Sequence, residues 1–117
     1  MTNLSIEVSQ SGDPDKKTTL DFFIDSGAVY SVVPQKHLKI LGILSDEERE
    51  FILANGQKMK RKLGIERFSY KGRTGGAPVV FGEKGDSTLL GATLLEAMGF
   101  VLNPFKRDLL PLPMALG

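Results

Sequence analysis

The sequence predicts a mostly β protein with one clear helix in the second half of the chain. Three observations lead to this fold class. Short runs in which apolar and polar residues alternate recur along the chain. Clusters rich in glycine, asparagine, aspartate and proline separate these runs, and an apolar spacing typical of a helix follows Gly91. The length of 117 residues predicts a single domain spanning residues 1–117.

The first two alternating runs are predicted to pair as a hairpin. In LSIEVSQ and TTLDFFID every second residue is apolar, which is the pattern of a strand with one buried face. The apolar positions are Leu4, Ile6, Val8, Leu20, Phe22 and Ile24. The turn-forming cluster SGDPDKK joins the two runs. Asp21, Phe23 and Asp25 are expected on the opposite face of the second run.

The middle of the chain is predicted to contain a short helix, a helical turn and a hairpin. Pro34 suits a first helical position, and Leu38 and Leu41 would share a helix face. In SDEEREF a serine and a glutamate have capping-box spacing, which favours a helical turn. Asn55-Gly56 lies between two strand-like arms, and this dipeptide is a strong hairpin signal.

The last part of the chain is predicted to hold short strands and the clear helix. IERFSY and APVVF read as strands on either side of the turn KGRTGG, and GEKGDS reads as another turn. TLLGATLLEAMG leads through Gly91 into a helix bearing Leu94, Leu95 and Met98, which Gly99 would end. The tail FVLNPFKRDLLPLP predicts a strand, an Asn-Pro turn and a second strand.

Composition excludes several classes of function. The chain has no cysteine, which excludes disulfides, thiol catalysis and thiolate metal sites. Its single histidine, His37, excludes a histidine-rich metal site and is interpreted as a surface or packing residue. A net charge of +1 gives no global argument for binding nucleic acid or a membrane. With no secretory signal pattern and no apolar run of membrane-spanning length, we expect a cytoplasmic protein.

The triplet Asp25-Ser26-Gly27 is the candidate for chemistry. By itself it can be a simple turn at a strand end, in which the aspartate accepts backbone N–H groups. Its neighbours favour a second interpretation, because the apolar strand FFI precedes it and the apolar run AVYSVVP follows it. A carboxylate in such surroundings is expected to be partly removed from water and available for acid–base chemistry.

These segments resemble the retropepsin-like aspartic proteases, in the form found in single-domain microbial members. FFIDSGAVYSVVP is similar to the catalytic strand and turn of that family, and TLLGATLLEAMGF to its hydrophobic-hydrophobic-glycine element and helix. ILANGQKMKRKLG lies where the family places the flap hairpin, and the tail is similar to the ending of the microbial proteins. The resemblance extends from Thr18 to Pro113 in order. It implies a small, closed, β-barrel-like fold with a flap hairpin and one helix in the C-terminal half.

The resemblance implies an aspartic endopeptidase that acts on peptide or unfolded polypeptide. Such enzymes use two carboxylates that share one proton, one to deprotonate water and the other to protonate or polarise the scissile carbonyl. This chain has one Asp-Ser-Gly triplet, so a complete site would need Asp25 from each of two subunits of a homodimer. Water would be the nucleophile, and neither a metal nor an organic cofactor is implied.

The resemblance also implies roles for individual residues. Asp25 would act as general acid in one subunit and as general base in the other. Ser26 would bond across the dimer axis, and Gly27 would let the backbone approach the carboxylate and the substrate. Ala28 and Val29 would line the floor of the substrate-binding cleft. The flap tip, which would also bind the substrate, would consist of Ala54, Asn55 and Gly56.

Two positions depart from the viral pattern of the family. Viral members carry an acid two residues after the motif glycine and an arginine after the glycine of the helix element, and the two pair. This chain has Val29 and Ala92 there, so both partners are absent together. Because the family builds its dimer sheet from chain ends, the resemblance makes the strands predicted at Phe100–Leu102 and Asp108–Leu110 the candidates for dimer contacts.

Alternative interpretations stay open. A non-catalytic retropepsin-like dimer could bind extended peptides or a protein partner through the same cleft. The segment QKMKRKLGIERFSYKGR holds Lys58, Lys60, Arg61, Lys62, Arg67, Lys71 and Arg73. We interpret it as a solvated or edge strand, with attraction of acidic substrates or contact with nucleic acid as less favoured alternatives. Tyr30 and Phe51 are interpreted as packing residues, with a place in the cleft as the alternative.

Overall fold

The structure of the protein is a computed structural model. It describes residues 2–10, 13–25, 27–53, 55–103 and 108–111. The described residues form nine strands and two short helices. These are β1 Thr2–Gln10, β2 Asp13–Ile24, β3 Ser31–Pro34, α1 Gln35–Ile40, β4 Glu47–Ile52, β5 Lys58–Tyr70, β6 Arg73–Gly82, β7 Leu89–Leu90, α2 Ala92–Met98, β8 Phe100–Asn103 and β9 Asp108–Pro111.

Six of the strands form a closed ring. The strands of the main sheet follow the order β1-β2-β7-β3-β6-β5-β4, and β1 also pairs with β5. The additional pairing connects β5 back to β1, so only β4 stays outside the ring as an edge strand. Most neighbours are antiparallel, whereas β2–β7 and β3–β6 are parallel. The mostly β, barrel-like fold expected from the sequence is confirmed.

The predicted first hairpin and its two faces are confirmed. β1 and β2 pair antiparallel over nearly their whole length. Ile6, Val8 and Phe22 have no exposed surface, while Asp21 and Phe23 on the opposite face are exposed. The apolar face points into the ring, where it meets residues of β3, β6, β7 and α2. The alternating pattern therefore identified the interior correctly.

Both predicted helices are present. α1 begins one residue after Pro34, buries Leu38, and is followed by Leu41 and by Gly42 in a left-handed conformation. α2 buries Leu94, Leu95 and Met98 and ends at Gly99, which has φ of 76°. Leu38, Leu94 and their buried neighbours belong to the same core as the ring. None of the helices among the described residues is long and apolar enough to cross a membrane.

The predicted helical turn in SDEEREF is wrong. Residues 47–52 form strand β4, which pairs with β5 in an antiparallel register from Glu47–Leu63 to Ile52–Lys58. The Ser45 hydroxyl donates to the carbonyls of Glu47 and Leu63 instead of capping a helix. Because long-range pairing with β5 satisfies the backbone of this segment, the local capping signal did not decide its structure.

The predicted turn KGRTGG is much shorter than its composition indicates. Only Lys71 and Gly72 turn, with φ of 47° and 78°, and β6 already begins at Arg73. Gly75 lies inside β6 because α2 crosses over it: a side chain there would come within 3.0 Å of Ala97 and Met98. That glycine allows close packing of the helix on the strand, which composition alone could not distinguish from a turn.

The described part of the chain ends in a separate two-stranded ribbon, as predicted. β8 and β9 pair antiparallel from Phe100–Pro111 to Asn103–Asp108. Phe100 and Leu109 are buried against the core, whereas the cross-strand pair Val101 and Leu110 is 44% exposed at both positions. The predicted Asn-Pro turn continues into residues 104–107, which lie outside the described part of the chain.

Candidate active site

Asp25 lies immediately after β2, where three strands meet. β2 runs parallel to the two-residue strand β7, with Ile24 beside Leu90. The Asp25 N–H donates to the Leu90 carbonyl at 3.0 Å, so pairing continues onto the aspartate itself. β7 also pairs with β3 on its other side. The ring thereby fixes the backbone that carries the carboxylate.

A tight turn holds the Asp25 carboxylate. The Gly27 N–H donates to Asp25 Oδ1 at 2.9 Å, and the Ala28 N–H donates to the Asp25 carbonyl at 3.1 Å. Ser26, which the resemblance places at the dimer axis, lies outside the described residues. The Asp25 side chain is exposed. The sequence suggested that the Asp25 carboxylate is partly buried, but within one chain it is not. Its apolar neighbours Phe22 and Ile24 point into the core and do not cover it.

Gly91 allows the Asp25 loop to lie close to the start of α2. A side chain at Gly91 would come within 2.6 Å of the Tyr30 carbonyl oxygen and 2.9 Å of that of Ala28. The Gly91 N–H donates to the hydroxyl of Ser31, which is almost fully buried. The hydrophobic-hydrophobic-glycine element therefore works by close backbone approach, and the glycine is sterically required.

Main-chain bonds join the loop to α2 where viral members of the family have an ion pair. The Ala92 N–H donates to the Ala28 carbonyl at 2.7 Å, and the Thr93 N–H to the Val29 carbonyl at 3.2 Å. These bonds do not depend on side-chain identity. The presence of Val29 and Ala92 in place of an acid and an arginine therefore leaves the loop attached.

A largely apolar cleft of about 470 Å³ lies between this loop and the β4–β5 hairpin. Its walls come from the loop after Asp25, from the hairpin, and from β3, β6 and β7. The lining residues are Ala28, Val29, Tyr30, Val32, Phe51, Ile52, Leu53, Met59, Arg61, Val80 and Leu89. Ala28 and Val29 lie in the cleft, and Val29 is 61% exposed. A cleft of this size and lining suits apolar side chains of a ligand.

The β4–β5 hairpin has the turn that Asn55-Gly56 predicts. The Gly56 N–H donates to the Leu53 carbonyl, Asn55 Oδ1 accepts from the Gln57 N–H, and Gly56 has φ of 84°. Asn55 and Gly56 are exposed and do not line the cleft. The third predicted tip residue, Ala54, lies outside the described residues. The structure thus brings the hairpin arms, not its described tip, to the cleft.

The two faces of the hairpin differ in chemistry. The outer face carries cross-strand pairs of opposite charge, Glu48 with Lys62 and Glu50 with Lys60. The three lysines of this face, Lys58, Lys60 and Lys62, are exposed, which agrees with a solvated strand. The inner face holds Arg49 directly opposite Arg61, and Phe51 opposite Met59.

Each inner-face arginine is neutralised by its own acids. Arg61 donates to both carboxylate oxygens of Asp86, at 2.8 and 3.1 Å, and this contact holds the pKa of Asp86 below its usual value. Arg49 pairs with Glu47 on the same strand, and this carboxylate raises the pKa of Arg49. Arg49 also donates to the Tyr30 hydroxyl at 2.7 Å. Two like charges can therefore stand opposite each other at the base of the hairpin.

Of the cleft residues that were not named as site residues from the sequence, three are aromatic or charged. Tyr30 and Phe51 were interpreted as packing residues, yet both line the cleft and their rings meet edge to face at 5.9 Å. Arg61 was grouped with the solvated basic residues. Strand parity with Met59 was the available signal, since Arg61 shares the inner face of β5 and the lysines share the outer face.

Comparisons with known proteins bear on the fold of the chain. No protein-family model matches the chain, and no curated protein matches it. Among solved structures, the solution structure of the Simian Foamy Virus (mac) protease aligns with a TM-score of 0.56. The chain has a retropepsin-like fold. The alignment covers 80% of this chain and 91% of the viral chain at 22% sequence identity, so the similarity concerns the fold.

Proposed function

We propose that the protein is an aspartic endopeptidase that works as a homodimer. One observation carries the proposal: a retropepsin-like ring presents an exposed aspartate, Asp25, on a tight turn beside an apolar cleft that a hairpin covers. The sequence motif, the fold and the cleft all involve the same turn. A turn of purely structural use would not require the cleft beside it.

The proposed chemistry needs two Asp25 carboxylates. One would remove a proton from water while the other protonates the amide that leaves, and a single proton would be shared between them. One chain supplies one such motif, and its carboxylate is exposed. A second copy facing it across a two-fold axis would supply the partner carboxylate and remove both from bulk water.

The terminal ribbon is the proposed source of dimer contacts. Val101 and Leu110 are cross-strand partners, so their exposed side chains share one face of the β8–β9 ribbon. Covering this apolar pair with the same pair from a second chain would stabilise the dimer. Such a contact would use β8 and β9 without requiring the ion pair that Val29 and Ala92 replace.

Substrate would bind in an extended form between the loop and the hairpin. Ala28 and Val29 would form the floor, and the main chain at Ala54, Asn55 and Gly56 would pair with the peptide as the hairpin closes. Strand addition gives affinity through main-chain bonds, and side-chain pockets give selectivity. The apolar lining of the cleft favours apolar substrate side chains on either side of the scissile bond.

Cleavage profiling of a mixed peptide library from pH 3.5 to 7 tests this function. The wild-type chain is compared with Asp25→Asn at protein concentrations well above dimer dissociation, and products are identified by mass spectrometry. We expect cuts from the wild type and a loss of at least about a thousandfold in rate for Asp25→Asn, because the variant cannot perform the proton transfers.

A matched control separates the carboxylate's chemistry from its charge. Asp21 is an exposed aspartate on the same face of β2, four residues before Asp25, and it accepts a hydrogen bond from Ser5. Asp21→Asn should cut like the wild type. Equal cutting by wild type and Asp25→Asn would refute the proposal. Absence of cutting by both, with light scattering showing a dimer, would favour a peptide-binding role.

A further inference from the structure

The β4 arm of the hairpin contacts the side chain of Tyr30, in the loop that follows Asp25 and precedes β3. Arg49 Nη1 donates to the Tyr30 hydroxyl at 2.7 Å, and its guanidinium lies 5.9 Å from the centre of the Tyr30 ring. The Phe51 ring meets the same ring edge to face at 5.9 Å. Two residues on the inner face of β4 thus converge on Tyr30.

The Tyr30 side of this contact is held firmly. Its carbonyl oxygen lies against Gly91, so closely that a side chain at Gly91 would overlap it. The next residue, Ser31, begins β3 and is buried. The ring also separates the main cleft from a smaller one of about 160 Å³ that Arg49 and Pro78 line. Tyr30 is therefore a fixed point against which the hairpin can rest.

The β4 side is held weakly. Among the described strands, β4 pairs only with β5 and forms the outer edge of the sheet. The Arg49 side chain is 49% exposed, whereas Arg61, opposite it on β5, is 15% exposed and bound to Asp86 by two hydrogen bonds. The β5 arm is thus anchored to the body through Arg61, whereas β4 is joined to β5 by their shared ladder and meets the body at Tyr30.

We propose that Tyr30 is the docking point that holds the hairpin closed over the cleft. In the closed state Arg49 donates to the Tyr30 hydroxyl and Phe51 covers the Tyr30 ring. In the open state the hairpin bends at the Arg49–Arg61 pair and both contacts with Tyr30 break, while the Arg61–Asp86 contact keeps the base of the hairpin in place. Tyr30 and Arg49 are positioning residues, since they act through the hairpin. The effect of this docking on turnover rests on the proposed protease function, whereas the position of the hairpin does not.

The absence of cysteine in the chain permits a direct measurement of hairpin position. Two spin labels are attached at Lys58→Cys near the hairpin tip and at Lys39→Cys on α1, both exposed positions. Labelled chains are diluted with unlabelled chains, so that only distances within one chain contribute. We expect a dominant short distance in the otherwise unchanged chain. Tyr30→Phe should raise the longer-distance population roughly tenfold, as loss of a hydrogen bond to a charged group implies.

Two further variants make the result specific. Arg49→Met keeps the length of the side chain and removes the donor, so it should give the same open population as Tyr30→Phe, and the double variant should add little more. Tyr70→Phe is the matched control: the Tyr70 hydroxyl donates to Asp108, away from the hairpin. Tyr70→Phe should leave the distances unchanged. Unchanged distances in Tyr30→Phe and Arg49→Met would overturn the proposal.

Kinetics of the same variants connect docking with turnover. If the wild type cleaves peptides, Tyr30→Phe should raise KM severalfold with a smaller change in kcat, because a closed hairpin holds substrate before and during reaction. An unchanged KM together with a shifted distance distribution would refute the role of docking in substrate binding. If the wild type does not cleave at all, the proposed function fails, and the distance measurement still decides the docking.

Discussion

Asp25 is positioned by main-chain groups. Its N–H donates a hydrogen bond to the Leu90 carbonyl. Its carboxylate accepts a hydrogen bond from the Gly27 N–H, and its carbonyl accepts one from the Ala28 N–H. The position of the aspartate could be predicted from the sequence because the strand alternation ends, and the Asp-Ser-Gly triplet begins, at this residue. Its exposure could not, because burial of the carboxylate would depend on a second chain. Sequence patterns also did not identify Tyr30 as a cleft residue, because its contact with Arg49 joins positions 19 residues apart in the chain.

Glu66 is the second carboxylate with unusual surroundings. It lies on β5 with no exposed surface, its Oε1 accepts from the Arg67 N–H, and its Oε2 has no hydrogen-bond partner among the described residues. Burial raises the pKa of Glu66 to about 7. The folded chain therefore binds a proton at this residue more tightly than the unfolded chain, whose value is near 4.5.

This residue predicts a loss of stability with rising pH. Between about pH 4.5 and 7 the folded state still holds this proton and unfolding releases it, so the free energy of unfolding falls as the pH rises, by up to about 3 kcal/mol, and stays level above pH 7. Glu66→Gln removes the ionisation. Relative to the wild type, this variant should gain stability from pH 5 to pH 8 in urea unfolding experiments.

Glu50→Gln is the matched control, because Glu50 is exposed on the outer face of the hairpin. The difference in free energy of unfolding between Glu50→Gln and the wild type should stay constant from pH 5 to pH 8. If the difference in free energy of unfolding between Glu66→Gln and the wild type also stays constant from pH 5 to pH 8, Glu66 does not cause the loss of stability with rising pH.

Elements were predictable where a local pattern and the tertiary environment agree. The β1–β2 hairpin, α1 and α2 combine a clear periodicity with turn or end signals, and the structure has all of them. β4 was missed because its helix-capping signal is local and its strand pairing is not. The glycine at Gly75 was read as part of a turn because contact with α2 cannot be seen in a single segment.

The β8–β9 ribbon is attached to the ring through Asp108. Its carboxylate accepts from Lys71 Nζ and from the Tyr70 hydroxyl, each at 2.8 Å. The Lys71 contact, the Leu109 N–H and the Tyr70 hydroxyl lower the pKa of Asp108 to about 2. Because the folded value lies below the unfolded one, the stabilisation is present above about pH 4 and is lost as the pH falls toward 2.

Asp108→Asn should loosen the ribbon without unfolding the ring. The variant loses the ionic contact with Lys71, so we expect amide hydrogen exchange in β8 and β9 to rise severalfold at neutral pH while the β1–β2 amides stay protected. Asp46→Asn, which changes an exposed aspartate elsewhere, should leave the ribbon unaffected. Equal protection of the ribbon in Asp108→Asn and wild type would contradict the anchoring role.

The whole chain has a closed ring but, as proposed, half of a catalytic site. Pairing of β1 with β5 closes the ring around one core within a single chain. The single Asp25 and the exposed Val101–Leu110 face are the features that the proposed second subunit would complete. The fold class could be predicted from patterns within one chain, whereas the proposed dimer rests on the presence of a single Asp-Ser-Gly triplet in the sequence.

The central claim is that each site uses Asp25 from two chains, and mixing subunits tests it most directly. Wild type and Asp25→Asn are combined in equal amounts at constant total concentration, and peptide cleavage is measured after the subunits have exchanged. If both carboxylates are required, random pairing leaves about one quarter of the wild-type activity. Mixing with Asp21→Asn should leave full activity. About one half of the activity with Asp25→Asn would mean that each chain acts alone and would contradict the account.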